Sequence, residues 1–327
     1  MTMFRRFLRL LLGAALLAIG VVLAVLYFPI MHKPFQHQVP EPPPDYRQAV
    51  AGLEALIAET PDTVRPDAAP VVLDHGYPTE HVFVLLHGLS NNPAQFVPLG
   101  RMLFARGHNV IIPRLPYHGE KDRLTETWGR LTAQDMLDSG NRAVDLARGL
   151  GKKVTVAGLS INGTVTAWMA QNRSDLHRVV LLAPFLAPGG LPHWAVSPLE
   201  RLLLRLPNLF IWWNPRLKDQ NPGPPYAYPR FPTRVIGQTM LLGSDVLSAS
   251  RVTAPKSGKI LVVTTASDLA ANNALTDRLV AQWQAFQPVE SVRFPREEGV
   301  PHDFIDIHQP DQQTDRVYAK LISLFEQ

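Results

Sequence analysis

From Leu10 to Ile30 no charged residue breaks an apolar run of 21 positions, and ahead of it stand Arg5, Arg6 and Arg9 with no acid. Coiled at ~1.5 Å per residue, such a run is about 30 Å long, the thickness of a bilayer's hydrocarbon core. It predicts one membrane-spanning helix. The basic flank puts the N-terminus on the cytoplasmic side and the bulk of the chain on the periplasmic or extracellular side. A cleaved signal peptide shares the basic start, but its apolar region is only ~7–15 residues long and ends at small residues. Here the run ends in Tyr27-Phe28-Pro29-Ile30. A buried core helix, the third reading, rarely carries apolar residues on every side next to arginines.

Five prolines (Pro34, Pro40, Pro42, Pro43, Pro44) make residues 32–44 a stiff linker. Asp45 to Glu59 then repeats apolar residues at helical spacing (Val50, Leu53, Leu56, Ile57). After it, segments of strand length cover 81–86, 109–112, 154–157, 179–182, 260–264 and 289–294, largely apolar except the last, which carries Glu290 and Arg293. Helical stretches alternate with them, over 94–106, 133–150, the residues after Ser160, and 314–325. Continuous apolar runs between helices mean parallel strands buried on both faces. The predicted fold is α/β, with a mostly parallel central sheet flanked by helices.

Residues 184–259 break this rhythm. They hold an apolar, aromatic stretch ending in Phe210, Ile211, Trp212 and Trp213, and a proline-dense one from Asn221 to Pro232. An insert of that length needs its own structure and is often an active-site lid; a subdomain with no part in chemistry is the other reading. The expected organisation is an anchor over 1–31, a linker and helix over 32–77, and an α/β domain over 78–327 with the lid at about 185–255.

Composition narrows the function. Hydrophobic residues make up 46% of the chain and charged ones 18%, which supports a sizeable core and excludes a disordered chain. The net charge is only +4, with no basic run beyond the first ten residues and no alternation of basic and aromatic positions. Nucleic acid is therefore not an expected partner. With Cys 0, disulfides, Cys-based zinc sites and a Cys nucleophile are all excluded. No metal-binding, P-loop or dinucleotide motif occurs and the histidines are dispersed, so no cofactor and no metal are expected.

The chemistry concentrates at Val154-Thr-Val-Ala-Gly158-Leu-Ser160-Ile-Asn162-Gly163, an apolar strand that turns into a helix at a serine. A hydroxyl becomes a nucleophile when a base takes its proton, and a sharp turn presents its oxygen. The strained turn requires small neighbours two positions away. Gly158 is one; Asn162 stands at the other position, with Gly163 one place late. Asn tolerates unusual φ best among non-glycine residues. One strand earlier comes Leu85-Leu86-His87-Gly88-Leu89-Ser90-Asn91-Asn92. An acyl-transfer intermediate places negative charge on an oxygen that backbone N–H donors stabilise. The expected donors are the amides of Ile161, after the nucleophile, and Leu89, after the His-Gly turn. His87 reads as structural.

The His-Gly strand end, the segment Pro113-Arg-Leu-Pro-Tyr-His-Gly119 and the Gly-x-Ser turn together resemble the carboxylesterase and monoacylglycerol lipase branch of the α/β-hydrolases, over roughly 78–327. In that branch glycine usually stands at the positions of Asn91, Tyr117 and Asn162. The resemblance implies the α/β-hydrolase fold with an inserted lid and a Ser, Asp/Glu, His order of catalytic residues. Asp268 follows the 260–264 strand and His302 the 289–294 strand, on one edge of the sheet. The resemblance then implies that His302 takes the Ser160 proton and Asp268 holds the imidazole. Asp245 is the next acid in line and Asp303 a weaker one; His75, His118 and His308 read as surface or structural.

The expected function is hydrolysis of a carboxylic ester through an acyl-enzyme. A lid bearing Trp212 and Trp213 as substrate-binding residues, beside a membrane anchor, suggests a small-molecule or lipid ester with a lipophilic acyl chain. Thioester, amide or lactone hydrolysis would use the same residues. A catalytically silent, membrane-tethered binding protein of the same fold is the alternative from another class.

Overall fold

The structure, a computed structural model, describes residues 2–28, 30, 32–36 and 39–326. In chain order the elements are α1 (Thr2–Tyr27), α2 (Tyr46–Ala58), β1 (Val71–Leu73), β2 (Thr79–Leu86), α3 (Val97–Phe104), β3 (Asn109–Ile112), α4 (Ala133–Ala147), β4 (Gly151–Leu159), α5 (Ile161–Asn172) and β5 (Arg178–Leu182). There follow α6 (His193–Arg205), β6 (Phe210–Trp212), β7 (Arg230–Pro232), α7 (Thr233–Ala249), β8 (Ile260–Thr265), α8 (Asn273–Gln284), β9 (Glu290–Phe294) and α9 (Thr314–Phe325).

One sheet runs in the order β1-β3-β2-β4-β5-β8-β9. All its pairings are parallel except that of β1 with β3. Side chains alternate across a strand, so each unbroken apolar run feeds two cores. Val82, Val84 and Leu86 of β2 join one cluster, with Val154, Val156, Val179 and Leu181. Phe83 and Leu85 join the other, with Ala157, Leu159, Val180 and Leu182. Both faces of the sheet are covered by helices, and α5 lies so deep that every residue from Ile161 to Gln171 is buried.

The register places the functional ends of the strands level with each other. Leu86 pairs with Gly158, Leu159 with Leu182, Leu182 with Val263, and Thr265 with Phe294. From β2 the chain moves outward to β3, then returns to the other side of β2 as β4. Loops that diverge at such a switch point leave a crevice at the carboxyl edge.

Three points differ from what the sequence led us to expect. Among the described residues no helix is long and apolar enough to cross a membrane, so the span expected over 10–30 is not supported. The helix itself is present, but it starts at Thr2, taking the basic segment into its first turns, and ends at Tyr27. Its end packs on α6: Arg201 donates to the carbonyls of Leu26 (2.9 Å) and Tyr27 (3.1 Å), and Arg205 to that of Phe28 (2.8 Å). The second correction is β1, a three-residue strand that joins the sheet antiparallel at its edge. The helix expected over 94–106 is split into a 3-10 turn at Pro93–Phe96 and α3.

Candidate active site

At the end of β4 the backbone turns sharply, and Ser160 takes φ 58° and ψ −114°. No ordinary L-residue basin lies there, so the surroundings must hold it. They do: the Ser160 amide donates to Leu182 O (2.9 Å), while its carbonyl accepts from Thr164 N (3.2 Å) and Phe185 N (3.0 Å). Small neighbours are needed for contact reasons. A Cβ on Gly158 would lie 2.2 Å from Asn162 O, and one on Gly163 would lie 2.7 Å from Pro184 Cα. Asn162 itself is an ordinary helical residue without positive φ. Its Nδ2 donates to His87 O (2.6 Å), tying α5 to the end of β2.

The structure brings Ser160, Asp268 and His302 together. His302 Nε2 lies 3.0 Å from Ser160 Oγ, and its Nδ1 lies 2.7 Å from Asp268 Oδ2. An ionised carboxylate only accepts, so Nδ1 carries the ring proton and Nε2 is left to accept from the serine hydroxyl. Asp268 is steered by the backbone: its Oδ1 accepts from Ala270 N (2.8 Å) and Ala271 N (2.9 Å). Its side chain is 0% exposed, against 21% for His302. Burial pulls the His302 pKa down, but the Asp268 hydrogen bond and charge, with Asp303 behind them, outweigh it and leave the imidazole above its ordinary value.

Leu89 and Ile161 both line the cavity beside Ser160. Gly88 O accepts from Asn91 N (3.3 Å) and lies 2.9 Å from His87 Nδ1. In a trans peptide the N–H points opposite the carbonyl, so holding Gly88 O fixes the direction of the Leu89 N–H. His118 Nε2 lies 2.6 Å from Leu89 O. His87 and His118 are fully buried and kept neutral, with burial as the main cause in each: His87 is pushed down to about 3 and His118 to about 4. His118 is thus structural and not a surface residue. His75 stacks on Phe104, and His308 is exposed against Tyr226.

The cavity is about 360 Å³. Its apolar wall includes Leu159, Phe185, Trp213, Phe231 and Ile236. Trp213 packs on Phe231 at 4.3 Å between ring centroids. Trp212 is not among the lining residues; its ring faces the Arg230 guanidinium at 5.9 Å. Trp212 is the last residue of β6, and Trp213 lies just past it, 45% exposed with one side on the cavity. Asp245 lies within α7 and does not line the cavity either. The segment between β5 and β8 borders the site through Tyr228, whose amide donates to Ser90 O (2.8 Å) and whose hydroxyl accepts from Glu120 N (3.0 Å). Among the described residues no group of three His, Cys, Asp or Glu side chains could hold a metal ion. Phe185, Tyr228, Phe231 and Gln309 were not expected at the site. Phe185, Tyr228 and Gln309 come from connections, and Phe231 from the three-residue β7, whose course a hydrophobicity pattern does not define.

The profile of the alpha/beta hydrolase family matches residues 83–317, from β2 into α9, and the chain belongs to that family. A thermostable monoacylglycerol lipase of Bacillus sp. (strain H-257) is 29% identical over 97 residues, 30% of this chain and 38% of that lipase. The match thus spans well under half of that curated relative. Among solved structures, a metagenome-derived lipolytic enzyme superposes with TM-score 0.60 at 15% identity, covering 80% of this chain and 99% of its own. The monoacylglycerol lipase of Paleococcus ferrophilus gives TM-score 0.58 at 16% identity, covering 78% and 96%. A soluble variant of the monoglyceride lipase of Saccharomyces cerevisiae gives 0.57 at 11% identity, covering 78% and 90%. At such identities the shared property is the fold.

Proposed function

We propose that this chain is a serine hydrolase that cleaves carboxylic esters through an acyl-enzyme on Ser160. The observation that carries this reading is the unbroken line of hydrogen bonds from Ser160 Oγ through the His302 ring to Asp268. Ser160 Oγ attacks the ester carbonyl as its proton passes to His302 Nε2, and Asp268 steadies the imidazolium. The amides of Leu89 and Ile161 receive the negative oxygen of the tetrahedral intermediate. Its collapse breaks the bond to the alcohol, which takes the proton from Nε2. Water then repeats the sequence on the acyl-enzyme and frees the acid. The apolar wall suits a lipophilic acyl chain, in keeping with the monoacylglycerol lipases among the relatives.

Hydrolysis of p-nitrophenyl esters of graded chain length tests the reading. Turnover is expected from the wild type, better with medium chains than with acetate, and reduced by about 10⁴-fold or more in Ser160→Ala. It should fall as the solution is acidified through a value above 6.5, because the imidazole is raised and must be neutral to act as base. Undiminished hydrolysis by Ser160→Ala contradicts the proposal.

A further inference from the structure

Beside the reacting groups, one carboxylate gathers a cluster of amides. Asp303 Oδ2 accepts from Asn91 Nδ2 (2.9 Å), Gln95 Nε2 (2.9 Å) and Gln309 Nε2 (2.8 Å). Its Oδ1 accepts from Asp306 N (3.3 Å). All four of these side chains, Asp303, Asn91, Gln95 and Gln309, line the substrate cavity. Because a carboxylate only accepts, it sets the orientation of every amide it touches. Gln95 must turn its Oε1 away from Asp303, and that oxygen accepts from Gly88 N (2.8 Å).

Two loops are joined in this way. One carries Gly88, Leu89 and Asn91; the other carries His302 and Asp303. No backbone hydrogen bond links them, since β2 and β9 stand at separate places in the sheet. Asn91 and Gln95 are 212 and 208 residues away from Asp303 along the chain. A glycine at 91 could not reach the carboxylate.

We propose that Asp303 is a positioning residue that clamps the loop bearing the Leu89 N–H to the loop bearing His302, so that the oxyanion donor and the base keep one geometry. This rests on the reading of Ser160 and His302 given above. Donors aimed in advance are worth most in catalysis, and a small displacement of one loses rate without loss of binding. The same carboxylate adds negative charge beside His302 and contributes to raising its imidazole. The other titratable groups facing this pair are Asp268 after β8, Asp306 on the same loop, Tyr226 of the lid and Tyr318 of α9.

The test is steady-state kinetics against pH on the full chain, for wild type, Asp303→Asn, Asn91→Gly and the double variant, with folding checked by near-ultraviolet circular dichroism. Asp303→Asn should lower kcat about 10-fold with KM within about 2-fold. It should also move the acid limb of kcat/KM to lower pH, a shift that a purely structural role would not produce. Asn91→Gly should lower kcat about 3-fold, and the double variant should be no worse than Asp303→Asn, because both break one clamp. A folded Asp303→Asn with wild-type kcat and an unmoved acid limb overturns the proposal, as does a double variant whose losses multiply. Should Asp303→Asn not fold, Asn91→Gly decides alone: reduced kcat at constant KM supports the clamp, and wild-type kcat overturns it. A wild type that hydrolyses no ester overturns the Ser160 reading and the clamp together, which sets that failure apart from failure of the clamp alone.

Discussion

Ser160 keeps a backbone conformation that costs about 1–3 kcal/mol, and the residues around it show why the cost is borne. Gly158 faces the carbonyl of Asn162 so closely that an added methyl group would stand 2.2 Å from it. Both partners are backbone, so neither can swing aside. Gly158→Ala is expected to destabilise the fold on the order of 3 kcal/mol, read as a lowered melting temperature; an unchanged melting temperature would contradict this account of the turn. At the same scale, substitutions for a usual glycine prove to be of two kinds. Tyr117 does occupy the left-handed region, with φ 63°. Asn91 and Asn162 do not, so tolerance of positive φ is not their reason for being asparagine. Each is there for its amide: Asn91 reaches Asp303, and Asn162 reaches the carbonyl of His87. The identity of those distant partners is invisible in a local motif.

Among the elements, the loop between β9 and α9 is the most constrained by charge. Asp306 is buried, accepts from Tyr226 Oη (2.6 Å) and His308 N (2.9 Å), and is pushed up to about 7, chiefly by burial and then by Asp303. A carboxyl raised in the folded state binds its proton more tightly there than in the unfolded chain. Its contribution to stability is fully present below the unfolded value near 3.8 and is lost as the pH climbs through about 7. The difference amounts to at most about 4 kcal/mol. Asp306→Asn removes the titration, so its melting temperature relative to wild type should rise between pH 4 and about pH 7 and level off above that. A difference that stays constant with pH would rule out this role for Asp306. The segment between β5 and β8 belongs to the same scale. That it has structure of its own follows from an interval too long for a loop, but which residues face the cavity does not: Trp213, just past the end of β6, touches it and Trp212, the last residue of β6, does not. Two adjacent tryptophans look equivalent until the end of the short strand is known.

For the whole molecule, six parallel strands were legible: five are largely apolar runs, the pattern of a sheet covered on both faces, and the sixth, β9, keeps Val292 and Phe294 between Glu290, Ser291 and Arg293. The order of Ser160, Asp268 and His302 along the chain was legible for the same reason, since each follows one of those strands. β1 was not: three partly buried residues at a sheet edge carry no periodic signal. The N-terminal helix shows the opposite failing. Its apolar run is plain in the sequence, yet the helix extends back through the basic segment and docks its end on α6. Apolarity alone did not tell where it begins or what it touches. The most direct test of the account as a whole is labelling of the full chain with a fluorophosphonate probe, beside Ser160→Ala and His302→Ala. The account predicts that the wild type labels and that both variants do not. A well-folded wild type that fails to label, or a Ser160→Ala variant that still labels, would contradict it.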